Sequence, residues 1–169
     1  MARNNEFEII TAINAYYKEY QKYPVPDGGT GVVVFSRQNN LLFDVLRNRT
    51  GAKTGNPLNP HGTVFLNASF PRDDAHPVAS IQDSTGVWYD PWGSPYCIAI
   101  DTSGKGELNG AANPIPGFYS DVGPLKADAI AWSLGKNGEL GGGPASKPGF
   151  SAEPGAPAKY QGSGDVGSW

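Results

Sequence analysis

Two segments of the sequence combine acidic and hydroxyl residues at spacings that bear on chemistry. In residues 90–96 (DPWGSPY), Asp90 can accept backbone N–H bonds, proline fixes φ, glycine permits a left-handed residue, and Trp92 is expected to pack over the loop. The sequence offers Asp90 no nearby catalytic partner. Residues 101–107 (DTSGKGE) resemble an acidic calcium loop only superficially, because Ser103 replaces an acid, Lys105 intrudes and no distal acid fits the spacing. We therefore predict two structural turns, the second hairpin-like.

Nucleophilic and histidine-based catalysis has no positive support. His61 and His76 lie in loop segments, and neither belongs to a His-x-x-x-His or His–Asp pair in the sequence. There is no Gly-x-Ser-x-Gly elbow and no dinucleotide-binding glycine loop. Cys97 lies in an apolar run and is predicted to be a small buried hydrophobe. We expect a protein that is not an enzyme, and a hydrolase is the least favoured class.

The C-terminal part makes a better case for a metal. Residues 133–138 (SLGKNG) and 164–169 (GDVGSW) could close a long loop on one calcium ion, which accepts backbone carbonyls as ligands. Long loops without secondary structure are uncommon, and a bound ion would explain this one. Acids are scarce here, with Glu139, Glu153 and Asp165 as the candidates. From the residues alone, both a bound ion and a bare loop remain open.

An amphipathic N-terminal helix is the first element that must position these segments. Residues 1–22 contain neither glycine nor proline, and apolar residues recur there at three- and four-residue steps until Pro24 ends the helix. The predicted apolar face consists of Phe7, Ile9, Ile10, Ile13, Tyr16, Tyr17 and Tyr20. The predicted polar face consists mostly of Asn4, Asn5, Glu6, Asn14, Lys18, Glu19 and Gln21.

The remaining elements are short. We predict a buried strand at 32–35, and a second helix at 40–48 with Asn39 or Asn40 as its cap. Extended segments follow at 64–66, 87–89, 96–100 and 127–134, and a tight turn at 135–138. With 23 glycines and 15 prolines in 169 residues, the fold should be loop-rich. The sequence predicts an α+β fold with a helix on a sheet.

Composition excludes several classes of protein. The length suits one domain. No apolar run approaches the roughly 18 residues of a membrane helix, and a net charge of −3 does not favour nucleic acid as a partner. The single cysteine allows no intrachain disulfide.

In order along the chain, four segments resemble one family, the major (G-type) pseudopilins of type II secretion systems. Residues 13–24 (INAYYKEYQKYP) are similar to the end of that family's long helix, and residues 90–96 resemble its Asp-Pro-Trp-Gly-x-x-Tyr turn. Residues 132–138 (WSLGKNG) resemble its Ser-x-Gly-x-[Asp/Asn]-Gly segment, and residues 164–169 its closing Asp-Asp-Ile-x-x-Trp. The first acid of that closing pair is Gly164 here, and residues 25–84 and 141–162 are longer than is common in the family.

The resemblance implies a pilin-like fold: a long N-terminal helix on a small antiparallel β-sheet. It implies a single pseudopilin domain over 1–169, with the end of the pilin helix at 1–23, a variable helix and loop region at 24–86, a β-sheet region at 87–140 and a Gly/Pro-rich loop at 141–169. It also implies a structural calcium ion. Carried over position by position, the candidate ligands are Leu134 through its carbonyl, Asn137 and Asp165, with Leu140 and Ser163 as weaker candidates.

The implied function is that of a structural subunit. Such proteins carry an N-terminal membrane helix and are cleaved and methylated by a prepilin peptidase. They polymerise in the periplasm with other pseudopilins and drive protein export through the secretion machinery. We therefore expect about 20 apolar residues upstream of residue 1 in the full-length protein, anchored in the inner membrane.

Two other functions remain open. One is a secreted carbohydrate- or ligand-binding module, whose loop aromatics would stack on sugars (Trp88, Tyr89, Trp92, Tyr119). The other is a subunit related to type IV pilins.

Overall fold

A long N-terminal helix packs against a small four-stranded antiparallel sheet in the computed structural model, which describes residues 1–26, 31–49, 56–68, 73–141 and 158–169. The elements are helix α1 (Ala2–Tyr20), strand β1 (Val32–Phe35), helix α2 (Asn40–Leu46), strands β2 (Cys97–Asp101) and β3 (Ala129–Ser133), a 3₁₀ turn (Gly135–Asn137) and strand β4 (Val166–Gly167). The predicted α+β class, with a helix on a small antiparallel sheet, is confirmed.

The strands lie in the order β1–β2–β3–β4, and every neighbouring pair is antiparallel. Strand β4 pairs with the end of β3, where Trp132 lies opposite Gly167; the sequence did not predict this strand. Strand β2 pairs with β3, which begins only at Ala129. The prediction of a hairpin-like turn after Asp101 is therefore wrong, because a long excursion separates the two strands.

The sheet is buried on both faces because side chains alternate along each strand. Ile98 and Ile100 of β2 pack in a core that includes both helices, whereas Cys97 and Ala99 pack in a second core on the other face. Cys97 is buried, as predicted, and burial raises the pKa of its thiol to about 12. The strand therefore carries an inert thiol in its apolar layer.

Helix α1 packs on β3 with a face that differs in part from the predicted one. It ends at Tyr20, four residues before Pro24, where Gln21 adopts φ 53°. The buried side chains are those of Ala2, Glu6, Ile9, Ala12, Ile13 and Tyr16. Phe7 and Tyr17, which were predicted to be apolar-face residues, are 48% and 39% exposed, while Glu6 is completely buried.

Helix α2 begins at the predicted position but lacks the predicted cap. Asn39 is at its N-cap and makes no capping hydrogen bond with its side chain. Trp88 and Tyr89 make only isolated bridges, with Ile81 and Pro95, so the segment at 87–89 is not a strand of the sheet. Proline has no N–H to donate to a ladder, which limits pairing at Pro95. None of the helices among the described residues is both long and apolar enough to cross a membrane.

Candidate metal site

The turn at Asp90 is built around its carboxylate. Oδ1 accepts the backbone N–H of Trp92 at 2.9 Å and that of Ser94 at 2.8 Å. Asp90 itself is completely buried, which agrees with the predicted structural turn. Trp92 is 44% exposed, so its ring is only partly covered, and its predicted packing over the loop stays a prediction.

Asp90 also joins this turn to the end of strand β3. The hydroxyl of Ser133 donates to Asp90 Oδ2 at 2.5 Å and accepts the backbone N–H of Gly135 at 3.0 Å. Ser133, like Asp90, has no solvent exposure. One buried carboxylate therefore connects two of the segments that the sequence analysis singled out, although Asp90 and Ser133 are 43 positions apart in the chain.

The segment after β3 lies directly against the C-terminal segment. Gly135 has φ +64°, and a Cβ at this position would lie 2.2 Å from the carbonyl oxygen of Gly164 and 3.4 Å from the nitrogen of Asp165. Only glycine tolerates both this conformation and this approach. The two predicted metal-binding segments are thus in van der Waals contact at the Leu134–Gly135 and Gly164–Asp165 peptides.

Asp165 is the acid at this contact, and its carboxylate points inwards. Its Oδ2 accepts the hydroxyl of Tyr119 at 2.6 Å and the backbone N–H of Gly141 at 2.7 Å. Its Oδ1 is buried and has no hydrogen-bond partner among the described residues. Burial raises the pKa of Asp165, against the hydrogen bonds from Tyr119 and Gly141, which lower it.

The other candidate ligands differ in how their oxygen atoms are placed relative to Asp165. Asn137 lies in the 3₁₀ turn next to Leu134, close to the contact. The N–H of Gly141 points at Asp165, so in a planar trans peptide the carbonyl of Leu140 points away from that oxygen. The hydroxyl of Ser163 donates to the carbonyl of Tyr160 at 2.8 Å and accepts the Asp165 N–H at 3.2 Å.

The oxygen atoms around Asp165 suit a bound cation, whereas those of Leu140 and Ser163 suit it less well. A buried carboxylate oxygen without a donor is the acceptor that a calcium ion would use. No cluster of three or more His, Cys, Asp or Glu side chains suited to a metal occurs among the described residues. Calcium also takes carbonyls, and Leu134 is the candidate that would supply one. Glu153 and most of the predicted loop, 142–157, lie outside the described residues.

Aromatic rings pack around the same place and hold the C-terminal segment to the sheet. Phe118 lies 5.1 Å from Trp132 and 5.4 Å from Trp169, measured between ring centroids, in edge-to-face geometry. Trp88 and Tyr119 are each 2% exposed, so neither can stack on a sugar at the surface. Of the four aromatics considered for sugar binding, Trp92 is the most exposed.

Two surface contacts between a histidine and a carboxylate were not expected from the sequence. His76 Nδ1 lies 2.9 Å from Asp73, and His61 Nδ1 lies 2.8 Å from Glu19. The expectation that no His–Asp pair occurs is therefore wrong for the three-residue spacing of Asp73 and His76. Asp101, in the loop that superficially resembled a calcium site, accepts the N–H groups of Ser103 and Gly106 instead.

No protein-family model, curated protein or solved structure matches this chain. The junction of Asp90, Ser133, Gly135 and Asp165 is therefore interpreted from its own chemistry. It is a buried, polar connection between three distant segments, and it holds one carboxylate oxygen that lacks a donor.

Calcium is expected to raise the melting temperature of the protein by roughly 5 to 10 °C at a hundredfold excess over its dissociation constant. Asp165→Asn keeps the size of the side chain but removes the charge that attracts the ion, so its melting temperature should not respond. Differential scanning calorimetry in calcium and in EDTA measures both. Glu8→Gln removes an exposed acid of α1 that is not among the candidate ligands; it is the control and should respond like the wild type. Equal melting in calcium and EDTA for the wild type would contradict the metal site.

Proposed function

We propose that this protein is the soluble domain of a type II secretion pseudopilin, a structural subunit that polymerises in the periplasm. The observation that carries the proposal is that three of the segments that resemble pseudopilin motifs contact one another in the fold. The Asp90 turn, the segment after β3 and the C-terminal segment are remote in sequence, yet they share hydrogen bonds and a glycine contact. Shared motifs that support one another in space are better grounds for a family relationship than separate matches.

The helix-on-sheet fold supports the same proposal. Helix α1 packs along β3 and carries its end, Tyr20, to the loop at Leu58 and Asn59. Tyr16 donates to the Leu58 carbonyl and Tyr20 to Asn59 Oδ1, so these two hydrogen bonds connect the end of the helix to that loop. In the proposed subunit this helix is the part that continues towards the inner membrane.

Calcium has a structural part in this proposal. Asp165 and the carbonyl of Leu134 would hold the ion, with Asn137 beside them. When bound, calcium supplies positive charge that neutralises the buried carboxylate and ties the two segments together. Asp165, Gly135 and Tyr119 already place those segments in contact.

The test uses the full-length protein in a bacterium that carries the corresponding type II secretion system. Deletion of the gene should retain exoproteins in the periplasm, and the wild-type gene should restore export. A version without the upstream apolar segment should not restore it. Methylated, peptidase-cleaved protein in sheared filaments is the expected physical readout.

The outcome also distinguishes the other functions. Filaments that form without any effect on export would favour a relative of type IV pilins. Retention on a glycan array, with neither filaments nor an export defect, would favour a sugar-binding module. A coding sequence without an apolar segment upstream of residue 1 would contradict the pseudopilin proposal.

A further inference from the structure

Glu6 is an unusual buried group among the residues that the structure describes. It lies in the second turn of α1, it has no solvent exposure, and neither carboxylate oxygen has a hydrogen-bond partner among the described residues. An ionised carboxylate without donors is costly in an apolar interior, and such a group normally neutralises itself. Neither the proposed function nor the candidate metal site uses this side chain.

The groups that face Glu6 come from each element packed around it. On its own helix, Arg3 and the amino group of Met1 attract a negative charge. On β3 the backbone amide of Ser133 also favours the ionised form, although no hydrogen bond of ordinary geometry reaches either carboxylate oxygen. From the turn, Asp90 faces it as a second carboxyl group. Tyr96 is a further titratable neighbour in the described part of the chain.

The hydrogen bonds decide which of the two carboxyl groups carries the proton. Asp90 accepts three hydrogen bonds, from Trp92, Ser94 and Ser133, whereas Glu6 accepts none from the described residues. The charge is therefore stabilised on Asp90, and the proton belongs on Glu6. Burial raises the pKa of Glu6 to about 7, with a smaller contribution from Asp90 and opposition from Arg3, Ser133 and Met1.

We infer that Glu6 is a proton-dependent latch: loss of its proton weakens the packing of the first turns of α1 against β3 and the Asp90 turn. Ionisation leaves a buried negative charge that faces Asp90 without donors. The charge is relieved when this part of the helix moves away from the sheet and admits water. The latch is a property of the fold and does not depend on the proposed function.

The sign of the pH dependence follows from linkage. In the open helix Glu6 ionises near its ordinary pKa of 4.5, while the closed form keeps its proton up to about pH 7. Opening therefore releases a proton between these values and becomes more favourable as the pH rises. Above about pH 7 both forms are ionised and the dependence ends.

Amide hydrogen exchange along α1 tests the latch directly. After correction for intrinsic exchange, protection of the amides near Glu6 should fall roughly tenfold per pH unit between about pH 5 and 7. Glu6→Gln is neutral and nearly isosteric, so its protection should be independent of pH. Glu8→Gln, at an exposed acid of the same helix, is the control and should keep the wild-type fall.

A second measurement follows the titration of Glu6 itself. Carboxyl carbon shifts of ¹³C-labelled glutamate in the wild type should include one that titrates with a midpoint near pH 7, and this signal should be missing in Glu6→Gln. A midpoint for Glu6 near pH 4.5 would overturn the latch. So would wild-type protection that does not change with pH, or a fall that persists unchanged in Glu6→Gln.

Discussion

Replacing Asp90 by alanine is expected to lower the free energy of unfolding by about 4 kcal/mol. The change removes the acceptor of two backbone N–H groups, those of Trp92 and Ser94, and leaves the buried hydroxyl of Ser133 without its acceptor. An unsatisfied buried donor costs roughly 1–3 kcal/mol. Urea denaturation followed by tryptophan fluorescence measures the loss as a lower midpoint with an unchanged slope.

Two controls separate the effect of losing a buried carboxylate from the effect of disrupting a turn in general. Asp121 also accepts two backbone N–H bonds, from Tyr160 and Gln161, but it is exposed, so Asp121→Ala should cost less than about 1 kcal/mol. Asp90→Asn keeps an acceptor oxygen for the turn and should be milder than the alanine variant. If Asp90→Ala cost no more than Asp121→Ala, the central role of Asp90 would be disproved.

Asn39→Ala is the second large effect, with an expected loss of about 4 kcal/mol. The buried side chain donates to the carbonyls of Trp88 and Tyr96, both at 2.9 Å, and accepts the N–H of Trp88 at 3.0 Å. It thus takes the place of a strand partner between two extended segments. Its removal leaves two buried backbone groups unsatisfied, the N–H of Trp88 and the carbonyl of Tyr96, whereas the Trp88 carbonyl still accepts the N–H of Tyr96 at 3.0 Å.

Asn39→Asp tests the hydrogen bonds of Asn39 more directly than Asn39→Ala, because it changes the charge and the N–H donors but hardly the size of the side chain. Asn39→Asp has nearly the same shape but no N–H donors, and it places a negative charge beside two carbonyls. It should therefore be at least as unstable as Asn39→Ala at neutral pH. Gln38→Ala, at the exposed neighbour, should change stability by less than about 0.5 kcal/mol. Chemical denaturation of the four proteins checks this order, and a stable Asn39→Asp would contradict the assigned hydrogen bonds.

Local sequence signals placed most of the regular elements. Strand β1 was predicted at 32–35 and observed there, and helix α2 was predicted from residue 40 and begins there. Cys97 was correctly assigned to the apolar interior, and Asp90 to a structural turn. These features depend on neighbours within a few residues, such as apolar spacing, prolines and side chains that bond to their own turn.

At Glu6 the helical spacing predicted burial, but the acidic residue type led to the opposite prediction. Positions 2, 6, 9, 13 and 16 follow alternating four- and three-residue steps, which is the spacing of one helix face. Glu6 was placed on the polar side because it is acidic, while Phe7 and Tyr17 were placed on the apolar side because they are aromatic. Spacing along the helix predicted burial better than residue type did, because the sheet covers one continuous stripe of the helix.

The candidate metal site was only partly accessible from the sequence. The motifs at 133–138 and 164–169 could be paired from their residue types alone, and Gly135 does lie against Gly164. Three features depend on groups that meet across the fold: the inward direction of Asp165, its bond to Tyr119, and the Leu140 carbonyl pointing away from Asp165 Oδ2. Whether calcium binds there stays a prediction.

Residue patterns along the chain were enough to predict the two helices, the first strand, the buried cysteine, the turn at Asp90 and the α+β class. Three features became visible only in the folded molecule: β4 pairs with β3, Asn39 bonds to Trp88 and Tyr96 rather than capping α2, and Ser133 donates to Asp90. Periodicity and turn chemistry act between near neighbours, whereas a buried polar group takes its partner from whichever distant segment the packed core brings within reach.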